Sequence, residues 1–194
     1  MEIQRLHYPL PPDFQGEVCV LAMGYFDGVH VGHRRVIQKA IDIAKSLGVK
    51  SAVMTFDPHP REVLGQSGYT QYLTPIDEKL EQMKKMGVDI AYVVYFDISF
   101  AAIYPEDFID EFLVQLCPKH VVVGFDYTFG HRGKGTAITL KEHANGRYGV
   151  EVIAPVNRFG EKISSTLIRE YLYSGKIVEA TQFLGRPYRV RGTV

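Results

Sequence analysis

Val18-Cys19-Val20-Leu21-Ala22-Met23-Gly24, running on into Tyr25-Phe26-Asp27-Gly28-Val29-His30-Val31-Gly32-His33, is the stretch whose reading decides the fold. A continuous apolar run closed by glycine reads as a strand buried on both faces. From Gly32 to Leu47 the apolar residues Val36, Ile37, Ala40, Ile41, Ala44 and Leu47 keep helical spacing, and Gly48 ends the stripe. A buried strand that passes through glycines into an amphipathic helix is the opening unit of a parallel α/β sheet.

The same alternation continues along the chain. Ser51–Phe56 reads as a second strand, broken by Asp57-Pro58-His59-Pro60 and a polar, glycine-containing loop to Leu73. Thr74-Pro75 marks a helix start, and Gly87 its end. Ile90–Phe96 is a third strand, and Pro105 opens a helix to about Leu116. His120–Gly124 is a fourth strand, and Gly130-His131-Arg132-Gly133-Lys134-Gly135 is a basic loop suited to a flexible cover. A helix is predicted over Thr139–Arg147, a fifth strand over Val150–Ala154, and short helices over Ser165–Tyr173 and Ile177–Leu184. The expected fold is therefore α/β: an open, mostly parallel Rossmann-like sheet with helices on both faces. Its chemistry is expected beyond the carboxyl ends of the strands.

With 194 residues against a prior of about 150 per domain, the chain suits one domain plus a fragment. Residues 1–184 form the expected domain. Gly185-Arg186-Pro187-Tyr188 breaks the last helix, and residues 188–194 look like a strand beginning. Lys and Arg total 22 and Asp and Glu total 22, so the net charge is zero. That balance argues against a nucleic-acid partner, which needs clustered cations. No apolar run is long enough for a membrane span, and Met1–Arg5 does not open like a signal peptide. Cys19 and Cys117 sit in apolar runs without metal-ligand spacing, which suits reduced core thiols in a cytoplasmic protein.

The strongest chemical signal is the histidine pair. A helix start leaves N–H groups without partners and favours an anion. His30 and His33, at i and i+3, turn their rings to one side, and Gly32 between them admits a ligand close to the backbone. Imidazoles so placed donate to phosphate oxygens as charge builds there. Solvated histidines and a zinc pair are the competing readings, the latter lacking a third ligand at the usual spacing. Ser164-Ser165-Thr166 with Arg169 pairs small hydroxyls at a helix start with a forked cation. A plain N-cap with a surface arginine is the alternative. Asp126 suits a ligand or an Asx-turn, and Pro58-His59-Pro60 a stiff pocket wall or a structural turn.

Four blocks together carry a resemblance: Gly24-Tyr25-Phe26-Asp27-Gly28-Val29-His30 with the HxGH pattern, Phe56-Asp57-Pro58-His59-Pro60, Val123–Gly130, and Ile163–Arg169. In this order they resemble the adenylyltransferase module of bacterial bifunctional FAD synthetase (riboflavin kinase/FMN adenylyltransferase), within the nucleotidylyltransferase superfamily. The resemblance implies a nucleotidylyltransferase fold and the reaction of FMN with ATP to give FAD and pyrophosphate, with Mg²⁺. It implies catalytic roles for His30, His33 and Arg169. It implies nucleotide contacts from Gly24, Phe26, Asp27, Gly32, Asp126, Ser164, Ser165 and Thr166. Flavin contacts are implied for Pro58, His59 and Pro60, and a metal role for Asp126. It further implies a riboflavin kinase β-barrel in cis in the parent protein, of which residues 185–194 would be the linker and first strand. Alternatives are transfer to phosphopantetheine or glycerol phosphate, or a non-catalytic nucleotide- or flavin-sensing module.

Overall fold

The computed structural model describes residues 1–65 and 71–190. In chain order the elements are β1 (Glu2–Leu6), β2 (Cys19–Met23), a single 3₁₀ turn at Asp27–Val29, α1 (Val31–Leu47), β3 (Lys50–Asp57), α2 (Pro60–Val63), α3 (Ile76–Lys85), β4 (Ile90–Tyr95), α4 (Ile98–Ala101) and α5 (Pro105–Asp107). The last continues as a π-helical turn, Phe108–Leu113, and a 3₁₀ turn, Val114–Leu116. Then follow β5 (Pro118–Gly124), β6 (Thr128–Phe129), β7 (Gly135–Thr136), α6 (Ala137–Glu142), β8 (Gly149–Ile153), β9 (Asn157–Arg158), β10 (Glu161–Lys162), α7 (Ser165–Tyr173) and α8 (Ile177–Leu184).

Six strands form one sheet in the order β1-β4-β3-β2-β5-β8, every neighbouring pair parallel. The expected parallel α/β architecture is therefore the observed one. β2 lies inside the sheet and is fully buried. Its side chains alternate, as the period of two requires. Cys19, Leu21 and Met23 enter a core with Phe108, Ile109, Phe112 and Leu140, while Val20 and Ala22 enter a second core with Ile37, Ile41, Leu80 and Met83. Helical segments thus cover both faces. A third, smaller cluster ties Leu73 and Ile163 to Ile168, Phe183 and Leu184 of α7 and α8.

The order of strands places the site. From β2 the chain builds outward through β3 and β4, then returns to the other side of β2 with β5. Ligands bind at such reversals, beyond the carboxyl ends of the strands. Here those ends are Gly24 and Gly124.

The structure adds to the sequence reading at some points and corrects it at others. β1 is an edge strand beside β4 that carries Glu2, Gln4 and Arg5, so no apolar run announced it. The helix expected over Thr139–Arg147 is shorter and earlier, because Thr136 and Thr139 close a capping box at its start. It stops before Asn145 and Gly146, both at positive φ. Cys117 is half-buried in a left-handed turn rather than in the core; Cys19 is buried, and both are free thiols. Gly130–Lys134 is the tip of a short β6–β7 hairpin, which Gly135 closes by pairing with Phe129. Residues 188–190 carry no helix or strand. The rest of the expected tail strand (191–194), and residues 66–70 of the expected polar loop, lie outside the described residues. Among the described residues, no helix is long and apolar enough to cross a membrane.

Candidate active site

Beyond Gly24 the backbone turns sharply through Phe26 (φ 58°) and Gly28 (φ 81°) into α1. His30 is the N-cap of α1, and its Nδ1 accepts from the His33 N–H at 3.2 Å. That bond leaves Nε2 as the protonated, donating nitrogen of a neutral ring. The two rings stack with centroids 3.5 Å apart. A Cβ on Gly32 would lie 3.2 Å from the His30 ring, so glycine makes room for this stack. The ring of Phe26 meets His33 edge-on, 5.4 Å between centroids. Burial lowers the His30 pKa to about 4. Burial, then His30 and Lys79, hold His33 well below the usual imidazole range. Both rings are therefore neutral at pH 7, and among the described residues the enclosed Nδ1 of His33 has no hydrogen-bond partner.

These histidines line a cleft of about 220 Å³ together with Gly32, Asp126, Lys162, Ser164 and Ser165. Ser164 caps α7 by accepting from the Leu167 N–H. Two helix N-termini, those of α1 and α7, thus present their capping residues to one cleft. Each contributes a partial positive charge and unpartnered N–H groups. Lys162 adds a full cation, 2.8 Å from the Asp126 carboxylate and over the Phe125 ring at 4.3 Å. Sequence reasoning misses Lys162, although this charge stands only two residues before Ser164.

Other predicted residues stand behind this cleft rather than in its lining. Asp27 is buried, and its carboxylate accepts from the N–H groups of Leu73 and Thr74 and pairs with Arg169. Arg169 also donates through Nε to the Gln71 carbonyl at 3.0 Å. The Ser165 hydroxyl donates to the Asp27 carbonyl. Arg169 and Asp27 therefore lock α7 to the turn before α1. Gly24 gives space to the Phe26 ring, 2.9 Å from where its Cβ would be. Phe26 is buried in the core and Thr166 is exposed at the first turn of α7. From the far end, Arg186 donates to the Gly28 carbonyl at 2.7 Å, and Gly185 abuts Val31.

The second cavity is larger and apolar. About 600 Å³ is lined by Phe56, Pro60, Phe96, Phe100, Phe108, Tyr127 and Phe129 with the hairpin tip Gly130–Gly133. One segment borders both spaces: Gly124–Asp126 line the cleft, and the next residues line the aromatic cavity. The glycine-rich tip therefore belongs to the aromatic cavity and not to the histidine cleft. Of the Pro58-His59-Pro60 block, Pro60 lines this cavity. Pro58 borders a shallow hollow with Arg5, His7 and Asp57. His59 caps α2 through Nδ1 and packs on Tyr25, 3.9 Å between ring centroids. Burial, then the charges of Lys79, Arg61 and Arg169, lowers its pKa to about 3.

Among the described residues, no group of three or more His, Cys, Asp or Glu side chains could enclose a metal ion. Asp126 is the carboxylate of the cleft, and one or two carboxylates plus substrate phosphates make up a usual Mg²⁺ site.

The sequence model of the FAD synthetase family matches residues 14–167. A bifunctional riboflavin kinase/FMN adenylyltransferase of Listeria monocytogenes is 45% identical over all of this chain and 62% of its own length. A Bacillus subtilis protein of the same name is 42% identical over 90% of this chain and 56% of its own. The chain thus spans less than two thirds of these two relatives. A FAD synthetase of Listeria monocytogenes is 34% identical over 97% of this chain and 77% of its length. A crystal structure described as a macrolide-efflux protein from Streptococcus pneumoniae superposes with a TM-score of 0.84 at 30% identity, over 97% of this chain and 72% of that one. With the family model matching residues 14–167 and a FAD synthetase matched over 77% of its length, the chain belongs to the FAD synthetase family.

Proposed function

We propose that this chain transfers AMP from ATP to FMN, giving FAD and pyrophosphate. The observation that carries the proposal is the junction of two spaces: a polar cleft fed by two helix N-termini and an imidazole pair, bordering an aromatic cavity sized for a flavin. An oxygen of the FMN phosphate attacks the α-phosphorus of ATP. The bond from that phosphorus to the bridging oxygen breaks, and pyrophosphate leaves with the electron pair. The enzyme needs no covalent intermediate. Its task is to hold the two phosphates in line and to stabilise the charge that builds on them.

His30 and His33 do this as neutral hydrogen-bond donors, since burial keeps both uncharged at pH 7. Positive potential comes from the helix ends and Lys162. Ser164 and Ser165 border the same oxygens. Arg169 acts from behind, through Asp27, rather than on phosphate directly. When bound, Mg²⁺ would be held by Asp126 and would offset charge on the polyphosphate. The aromatic walls favour a planar ring system over the flexible chain of phosphopantetheine or the small glycerol phosphate. We further propose that the parent protein carries a riboflavin kinase in cis, with residues 1–184 as the adenylyltransferase domain and 185–194 leading toward the kinase. The names of the longer relatives support this. Free thiols and the substrates ATP and FMN suit the cytoplasm.

The test is incubation with ATP and Mg²⁺ and, separately, FMN, riboflavin, phosphopantetheine or glycerol phosphate, with chromatography of products and assay of pyrophosphate. FAD and equimolar pyrophosphate from FMN, with no product from the other three, is the expected result. FMN binding without pyrophosphate release would identify a sensing module instead.

A further inference from the structure

Lys79, on α3, has 1% of its surface exposed. A buried ammonium is costly unless a carboxylate pairs with it. Among the described residues none does. Its Nζ donates to the Tyr25 carbonyl at 2.9 Å and to the Thr55 hydroxyl oxygen at 3.4 Å, and sits 3.6 Å from the centre of the Tyr25 ring. The nearby carboxylates have other duties: Asp27 holds Arg169 and two backbone N–H groups, and Asp57 pairs with Arg5. Tyr25 follows Gly24 in the turn that leads to His30, and its ring packs on His59. One cation therefore joins α3, the end of β3, the phosphate-side turn and the flavin-side loop.

Such an arrangement is expensive for the ligand-free protein, and an anion bound nearby would offset part of that cost. Resting on the adenylyltransferase reading above, we propose that Lys79 is a positioning residue for the transfer: its caged ammonium fixes the Gly24–Gly28 turn against His59 and places beside His33 a positive charge that no carboxylate contacts directly.

The groups facing the Lys79 ammonium are Tyr25 and Asp27 from the turn, His33 from α1, and Asp57 and His59 at the end of β3. Burial lowers the Lys79 pKa to about 8, with Asp27 and Asp57 opposing. Polyphosphate favours the ammonium, so nucleotide affinity falls as pH rises past that value.

Lys79→Met removes the charge and keeps the stem. The Tyr25 carbonyl stays paired, because Thr55 also donates to it at 2.8 Å. Lys79→Gln is a second neutral variant that can still donate. Thr55→Val loosens the cage and keeps the charge. All would be melted, titrated with ATP and Mg²⁺ from pH 7 to 10, and assayed for turnover. In the neutral variants we expect ATP affinity at pH 7.5 to fall about tenfold and to lose its alkaline decline. Turnover should fall about 30-fold with the FMN KM within about twofold. Thr55→Val should keep the alkaline decline. Neutral variants that retain wild-type ATP affinity, its alkaline decline, or turnover within about threefold would overturn the proposal. A wild type that binds ATP with this pH dependence but makes no FAD would defeat the acceptor assignment and leave the Lys79 result standing.

Discussion

The cleft and the cavity are built by opposite means. The cleft joins groups that are each fixed within their own turn: an N-cap and its i+3 neighbour at one helix start, and a second N-cap at another. The cavity assembles from rings scattered over β3, the β4–α4 loop, the helical run after Pro105 and the β6–β7 hairpin. Polar chemistry here is local and geometric, set by hydrogen bonds within a turn. The aromatic space is a product of global packing. Damage to the first should therefore reduce rate, and damage to the second should change which acceptor fits.

The largest expected effect breaks the cleft. His33→Ala should lower turnover at saturating ATP and FMN by about 10²–10³, as loss of one preorganised donor does, with little change in the FMN KM. Near-normal pyrophosphate release would remove the imidazoles from the transition state. Next comes the brace behind the cleft. In Arg169→Ala a buried Asp27 carboxylate loses its cation, and urea titration should show a loss of about 3–5 kcal/mol. Unchanged stability with a raised ATP KM would return Arg169 to the phosphates.

The cavity is probed by filling it. Ala101→Phe narrows the aromatic space and should raise the FMN KM about tenfold while ATP binding stays as it was. Acid separates the regions more gently. His30 and His59 have folded-state pKa values of about 4 and about 3, below the usual value near 6.5 of the unfolded chain. Unfolding then takes up protons, so the stability gained by keeping these rings neutral is complete above about pH 6.5 and lost as pH falls toward 4 and 3. The melting temperature should drop across that window, and less steeply in His30→Asn. The smallest effect is expected at Asp126→Asn. Its pair with Lys162 is solvent-exposed and worth about 0–1 kcal/mol, so stability should stay level while the Mg²⁺ concentration needed for turnover rises.

What the sequence made legible follows the same division. β2 and α1 were readable because an apolar run and a helical stripe need no distant partner to be recognised. The histidine pair was readable because three residues of helix decide where both rings point. The Asp27–Arg169 pair joins residues 142 apart, and nothing local in either segment announces it. Lys79 stands in the charged run Asp77-Glu78-Lys79, which resembles a solvated helix face, and only the packing of α3 beneath the turn buries it. β1 escaped notice because an edge strand tolerates charge on its open side.

Arg186 lies two residues past α8 yet grips the carbonyl of Gly28, two residues short of His30. The last helix and the first turn are thereby leashed to each other across nearly the whole chain. A tug on the polypeptide downstream of residue 186 would be transmitted to the imidazoles before any strand of the sheet had to slide.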